Sequence, residues 1–284
     1  MKVNVGIPVY NGGATLGRVL ENVLGQFPRK DHVIVVDDGS NDRSAAVALM
    51  RNVRVISHLR NLGLASARNT ILQHSDCDIL VFFDADAVPR PGCIETLLTP
   101  FENPSVVAVG GRGEEADCST ISAKWRAKTT PQSHGEKRIE DDWMVMGLCA
   151  AFRRQALIDV GGFDAHFKQA GEDVDVSIRL RKNGGKLVFL PQAVVDHLPV
   201  GDLYNVTRQA YTHAKYASYA LMKNDVIPTE YALDSARCLT NSTLENIKCN
   251  RWSECGIGAV NFAARAAGIA AGMLKSAKDK YIHL

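Results

Sequence analysis

The sequence predicts an α/β fold: an open, mostly parallel sheet flanked by helices, with a helical appendage at its C-terminal end. Three observations predict it. Runs of β-forming residues alternate with segments of helical periodicity, a rhythm that gives parallel strands joined by right-handed crossovers. Each of these runs ends in Gly, Asn or Asp, the residues of turns that carry ligand contacts in such sheets. The fourth run, Ile79 to Phe83, is apolar throughout rather than alternating, as in a strand buried on both faces.

Lys2 to Ile7 forms the first expected strand, ended by Pro8. Asn11-Gly12-Gly13 then leads into a helix with Leu16, Val19, Leu20, Val23 and Leu24 on one face. A second strand, His32 to Val36, runs into Asp37-Asp38-Gly39-Ser40, and Asn41 and Asp42 offer caps for a helix through Met50. A short third strand, Val53 to Ile56, leads to Asn61-Leu62-Gly63 and a helix over about Ala65 to Gln73. Pro89 and Pro91-Gly92 stop the pattern after the fourth strand.

A helix near Cys93 to Leu98 and a strand near Val106 to Gly110 follow. Arg112 to Asp142 is polar and charge-mixed; it is expected to be part helix and part loop, serving either function or plain solvation. Gly147 to Phe152 is another apolar strand, followed by a short helix and the turn Val160 to Asp164. Gly171-Glu172-Asp173 opens an amphipathic helix carrying Val174, Ile178 and Leu180, closed by Asn183-Gly184-Gly185. A strand from Lys186 to Leu190 precedes Val194-Val195-Asp196-His197. Asp202 is expected to cap a helix through Lys223, Pro228 to break it, and two more helical segments to follow. The last of these, about Gly256 to Lys275, is Ala/Gly-rich with Gly268 and Gly272 at GxxxG spacing.

Composition bounds the function. With 284 residues, 46% hydrophobic and 23% charged, the chain can bury a large core, and a net charge of +2 gives no reason to expect nucleic acid as a partner. Seven cysteines without a CxxC pair read as reduced buried thiols in a cytosolic setting, with no structural zinc. The chain opens on a strand pattern with no basic or apolar leader, so no signal peptide is expected. Neither GxGxxG nor GxxxxGK[ST] is present, which disfavours dinucleotide-binding and P-loop proteins.

Three groups of residues could carry chemistry. Asp84 and Asp86, two apart at a strand's carboxyl end, would point the same way in extended backbone and suit a hard divalent cation; a solvated acidic turn is the competing reading. Glu172 and Asp173 lie in a first helical turn, where the macrodipole favours their ionised form and capping alone would explain them. His197, alone after a strand, reads as structural on its own.

The motifs PVYN, VVDDGS with Asn41-Asp42, NLGLASARN, FFDADA, VGGFD, GEDVDVSIRLRKNG and a late VDH stand in that order. Together they resemble a family-2 glycosyltransferase of the GT-A fold, a Rossmann-like sheet, over about residues 3 to 220. The resemblance implies a catalytic domain over 1–222 and a helical extension over 223–284. It implies that Pro8, Val9, Tyr10, Asn11, Asp38, Gly63 and Arg68 contact the nucleotide sugar. Asp84-Ala85-Asp86 looks like the DxD element, which holds a divalent metal (Mn2+ or Mg2+) on the donor diphosphate, with Asp86 on the metal and Asp84 nearer the ribose. His197 matches the late histidine that completes the metal site. Glu172-Asp173 looks like the xED element, with Asp173 the base on the acceptor hydroxyl.

The implied enzyme transfers a sugar with inversion from a nucleotide-diphosphate sugar, UDP being the first expectation for the base, to a saccharide or lipid-linked acceptor. Two departures stand out. Gly12-Gly13 replaces the usual acid after PVYN, and the QxxRW element of processive synthases is not evident, so addition of one sugar at a time is expected. A nucleotidyltransferase would need a basic Gly-rich loop where Pro8 to Gly13 has no basic residue. A non-catalytic sugar-nucleotide-binding protein would not need Asp84, Asp86, Asp173 and His197 together. Arg265 and Asn261 argue against the last helix spanning a membrane; it is expected to pack or to make a homodimer contact. Its basic end, Lys275, Lys278 and Lys280, also allows loose contact with an anionic bilayer, which would place a cytoplasmic protein on the inner membrane face.

Overall fold

The structure is a computed structural model that describes residues 1–120, 123–124, 126–127, 132–198, 203–229, 232–233 and 252–281. Its first compact unit comprises Met1–Ala116 and Gln132–Pro199, and the second comprises Asp117–Pro131 and Val200–Leu284.

The first unit is one eight-stranded mixed sheet. Its strands are β1 (Val3–Val9), β2 (Val33–Asp37), β3 (Arg54–Ser57), β4 (Ile79–Phe83), β5 (Ala87–Pro89), β6 (Val106–Glu115), β7 (Cys149–Arg153) and β8 (Lys186–His197), in the order β3-β2-β1-β4-β7-β6-β8-β5. The helices α1 (Gly13–Gln26), α2 (Ser44–Met50), α3 (Leu64–His74), α4 (Cys93–Leu98), α5 (Arg154–Asp159) and α6 (Glu172–Lys182) cover its faces. Every residue of β1, β2 and β4 is buried, as in inner strands of a sheet covered on both faces.

The core has two halves. Leu16, Val19, Leu20 and Val23 of α1 pack with Val5, Ile7, Val33 and Val35 on one side of the sheet. Ile71 and Leu72 of α3 and Val176 and Leu180 of α6 pack with Ile34, Val36, Leu80 and Phe82 on the other. The chain therefore runs outward from β1 through β2 to β3 and crosses back to β4 on β1's other side, with the crossovers on opposite faces. That reversal opens a crevice at the carboxyl ends of β1 and β4, where α/β sheets bind ligands.

Several expectations are corrected. Pro8 lies inside β1 rather than ending it; the β1–β4 pairing stops at Gly6–Phe82, so at Pro8 the strand has only β2 beside it and the missing N–H costs no inner ladder bond. Asp84 to Asp86 are a turn, closed by Ala87 N–H to Asp84 O at 3.0 Å, and not extended backbone. The turn feeds β5, which pairs antiparallel with the end of β8, so Pro89 ends a further short strand that the sequence did not suggest. The two pieces expected around 186–197 form one strand, and Pro191 falls where its pairing with β6 shifts register. The start of the expected polar loop is the end of β6, which continues to Glu115 because β8 continues beside it. The cap of α2 is Arg43, with Asp42 accepting from the Ser44 N–H one step into the helix. Of the cysteines, Cys93 and Cys149 are buried but Cys118 is exposed.

In the second unit α7 (Leu203–Lys223) packs closely on α8 (Trp252–Tyr281), which is longer than its Gly256–Lys275 expectation. A Cβ at Gly268 would stand 2.4 Å from the Tyr211 carbonyl, and one at Gly272 would stand 2.1 Å from that of Lys215, so the two glycines set the approach. The expected cap Asp202 and most of the segments between Pro228 and α8 lie outside the described residues. Among the described residues no helix is long and apolar enough to cross a membrane.

Candidate active site

The loops after β1 and β2 are laced together. Asn11 N–H donates to Ser40 Oγ (2.9 Å), Asn41 N–H to Asn11 Oδ1 (2.9 Å), Gly12 N–H to Ser44 Oγ (3.0 Å) and Gly13 N–H to Asp42 Oδ2 (2.9 Å). Gly12-Gly13, where a carboxylate was expected, thus supplies two N–H donors to the neighbouring loop. Pro8 and Val9 are buried, while the Tyr10 side chain is 49% exposed over the crevice end of β1. Asp38 is already engaged. It accepts from Leu62 N–H (2.9 Å) and Gly63 N–H (2.8 Å) and pairs with His58 Nδ1 (2.6 Å), whose Nε2 meets Thr70 Oγ1 at 2.9 Å. His58, a lone histidine past a short strand, gave no signal in the sequence.

Arg68 of α3 is the centre of a second group. Its guanidinium is buried (1% exposed) and donates through Nη1 to Glu172 Oε1 (2.5 Å) and through Nη2 to Asp84 Oδ1 (2.8 Å), with the Phe82 and Phe163 rings 5.8 and 5.7 Å away. The ends of β4 and α6 are therefore tied by one side chain. Asp173, next to Glu172, accepts from Gly147 N–H at 3.1 Å and from Val174 N–H at 2.8 Å. Gly147 must lack a side chain, because a Cβ there would lie 2.3 Å from Arg68 Nη1. Gly147→Ala is expected to displace the guanidinium and cost about 1–3 kcal/mol, as overpacking of a filled core does. A urea midpoint indistinguishable from the parent's would contradict that.

One guanidinium serves three carboxylates here, Asp84, Glu172 and Asp173, too few positive charges to neutralise them all. Burial raises the Asp84 carboxyl, only partly opposed by Arg68, and burial likewise pushes Glu172 up to about 8 against the pull of Arg68. Arg68 is itself held more firmly protonated: burial works against its charge, and Glu172 and Asp84 outweigh burial. A carboxyl raised above its unfolded value of 4.5 keeps its proton longer in the folded chain, so stability is greatest below that pH and declines as pH rises toward about 8. Glu172→Gln, which cannot titrate, should lose that decline. Thermal midpoints of the two proteins from pH 5 to 8 test it, and parallel curves would refute it.

The third group holds Asp86, His197 and Glu115. His197 Nε2 lies 3.6 Å from Asp86 Oδ2 and its Nδ1 lies 3.2 Å from Glu115 Oε1. Burial disfavours the imidazolium, but hydrogen bonds to Asp86 and Glu115 overcome it and raise His197 to about 9. Pairing of β5 with β8, Ala87 opposite His197, brings the two elements together. Among the described residues no three His, Cys, Asp or Glu side chains are gathered to hold a metal ion by themselves. Asp86 and His197 nonetheless offer one carboxylate and one imidazole nitrogen, with a carboxylate behind the ring to orient it, a donor set suited to a cation that takes its other ligands elsewhere. Glu115, at the end of a strand expected to stop at Gly110, had no signal of its own.

Residues 4–161 match the model of glycosyl transferase family 2. A pre-mycofactocin glycosyltransferase of Mycobacterium tuberculosis is 33% identical over 69% of this chain and 42% of its own length. An N-acetylglucosaminyl-diphospho-decaprenol L-rhamnosyltransferase of the same organism is 29% identical over 66% of this chain and 73% of its own. The chain thus spans 42% of the length of the pre-mycofactocin enzyme and 61% of that of an uncharacterized protein of Mycobacterium tuberculosis. Among solved structures, a mannosyltransferase from Pyrobaculum calidifontis in complex with GDP-Man and Mn2+ superposes with a TM-score of 0.65 at 19% identity, covering 94% of this chain and 87% of that one. Glucosyl-3-phosphoglycerate synthase from Mycobacterium tuberculosis, in complex with Mn2+, UDP-glucose and phosphoglyceric acid, gives 0.57 at 19% identity over 80% of both chains. With the family model matched over more than half of its residues, the chain belongs to glycosyl transferase family 2, and its sheet is the GT-A fold.

Proposed function

We propose that this protein transfers one sugar at a time, with inversion, from a nucleotide-diphosphate sugar to an acceptor hydroxyl with the help of a divalent metal. The observation that carries the reading is the meeting of Asp84, Arg68, Glu172 and Asp173 at the switch-point crevice of a family-2 chain. Tyr10 and Asn11, on the exposed loop after β1, would line the base, with Asp38 holding the Leu62–Gly63 loop in place beside them. Asp86 and His197 would hold the metal (Mn2+ or Mg2+), with Glu115 fixing the ring. A bound divalent ion supplies positive charge against the negative charge growing on the diphosphate.

Asp173 is the base. The acceptor oxygen would form its bond to the anomeric carbon as the bond from that carbon to the phosphate oxygen breaks; the electron pair leaves with the diphosphate and the proton goes to Asp173. Gly147 N–H and the start of α6 orient that carboxylate toward the crevice side of the helix end. Arg68 keeps Asp84 and Glu172 at fixed spacing, so donor and acceptor sides move as one.

The acceptor would be a saccharide or a lipid-linked sugar; a lipid-linked one would place the enzyme, cytoplasmic, against the inner membrane face. Hydrolysis of UDP-, GDP- and dTDP-sugars, each with and without Mn2+, tests the reading, UDP-sugar turnover in Mn2+ being expected. Failure to turn over or bind any sugar nucleotide would end it.

A further inference from the structure

We infer that the outer face of α8 docks on the surface of an anionic lipid bilayer. The helix is inverted for a water-soluble one. Between residues 259 and 274 every exposed position is apolar: Val260 (58% exposed), Phe262 (47%), Met273 (39%) and Leu274 (64%), the others being alanines. Two of its uncharged polar residues face the other way. Asn261 and Ser276 are buried, and Asn261 has both side-chain polar atoms without a hydrogen-bond partner. Ser218 of α7 is buried with its hydroxyl likewise unpaired. Close approach through Gly268 and Gly272, polar atoms inside and hydrocarbon outside, is how helices pack when their outer solvent is lipid.

Among the described side chains of α7 the exposed ones are Tyr204, Asn205, Arg208 and His213, polar or amphipathic, so the pair has a wet side and a dry side. A helix with one apolar face and no span-length hydrophobic run lies in the interface plane rather than crossing it. Charge decides the lipid. Over Trp252–Tyr281 the sequence carries Arg265, Lys275, Lys278 and Lys280 against Glu254 and Asp279, a basic excess weighted to the C-terminal end of the helix. Lys275 sits over the Tyr219 ring, 4.0 Å from its centroid, and such a contact leaves its positive charge intact.

A second copy of the chain is the other occupant to weigh. A sixteen-residue helix face is about 24 Å long at 1.5 Å per residue. At a helix's width of about 10 Å that is far short of the roughly 800 Å² per partner of a stable interface. A bilayer sets no such threshold. The inference does not depend on sugar transfer, so its test reads binding and not turnover.

The full chain is sedimented with vesicles of phosphatidylcholine alone or with 30 mol% (about one third) phosphatidylglycerol. Binding to the anionic vesicles, at least about tenfold above the neutral ones and weakened by salt, is expected. Phe262→Glu/Leu274→Glu, at exposed positions outside the active site, should abolish it while leaving the thermal midpoint and sugar-nucleotide hydrolysis unchanged. Absence of binding to anionic vesicles, equal binding to neutral ones, or equal binding by the double variant would overturn the inference. So would a concentration-dependent dimer in ultracentrifugation that the double variant dissolves, which would assign the face to a second copy.

Discussion

Asp173→Asn should lower transfer by about 10²–10⁴-fold while leaving donor affinity and thermal midpoint near the parent's values. Asn keeps the size and, through its carbonyl oxygen, the acceptor for Gly147 N–H; what it loses is the ability to take a proton. The loss should fall on kcat, because the proton moves only as the acceptor oxygen attacks. Titration calorimetry with the intact donor and single-turnover transfer separate the two. Near-normal transfer would remove Asp173 from the base role, and a parallel loss of donor binding would make it a positioning residue instead. Glu172 provides the internal comparison. It is buried against Arg68 with Oε2 unpaired, so the two neighbouring acids of α6 stand in different surroundings and should respond differently to the same amide substitution.

Much of this fold could be read from local signals. Ile79–Phe83 and Cys93–Leu98 carry the boundaries the sequence suggested, because a continuous apolar run and a Pro-Gly stop are local and strong. Pro8 misled because whether a proline breaks a strand depends on which neighbours that strand has at that residue, a non-local fact. The turn at Asp84 was the competing reading, and it prevails for the same reason: three residues of β5 become a strand only because β8 lies beside them. The site divides along that line too. Asp84, Asp86, Glu172, Asp173 and His197 stood out through ordered motifs, but no periodicity joins Arg68 to Glu172, 104 residues on. Gly147 likewise looks like any strand-edge glycine until the guanidinium is placed against it.

Arg68→Met should be the most damaging substitution to stability in the first unit. Breaking a buried pair by removing one partner costs about 3–5 kcal/mol, and here a single cation serves two bonded carboxylates, one of them fully buried. Against a typical total of about 5–15 kcal/mol, the variant should unfold at a much lower urea concentration. The damage should depend on pH. Asp84 and Glu172 are already raised by burial, and without the guanidinium each rises further, so the variant's folded state keeps protons that the parent's has released and the deficit shrinks as pH falls, the Glu172 share of it appearing only as pH rises through about 8. Above about pH 8, where Glu172 would otherwise ionise without a partner, Glu172→Gln on the Arg68→Met background should recover part of the loss; the double-mutant cycle measures the coupling directly. Arg68→Lys should fall between, since one ammonium cannot span both carboxylates as the planar fork does. A variant as stable as the parent at neutral pH, with no coupling to Glu172, would mean that Arg68 merely fills space between Phe82 and Phe163. Donor and acceptor sides would then have to be aligned by the backbone alone.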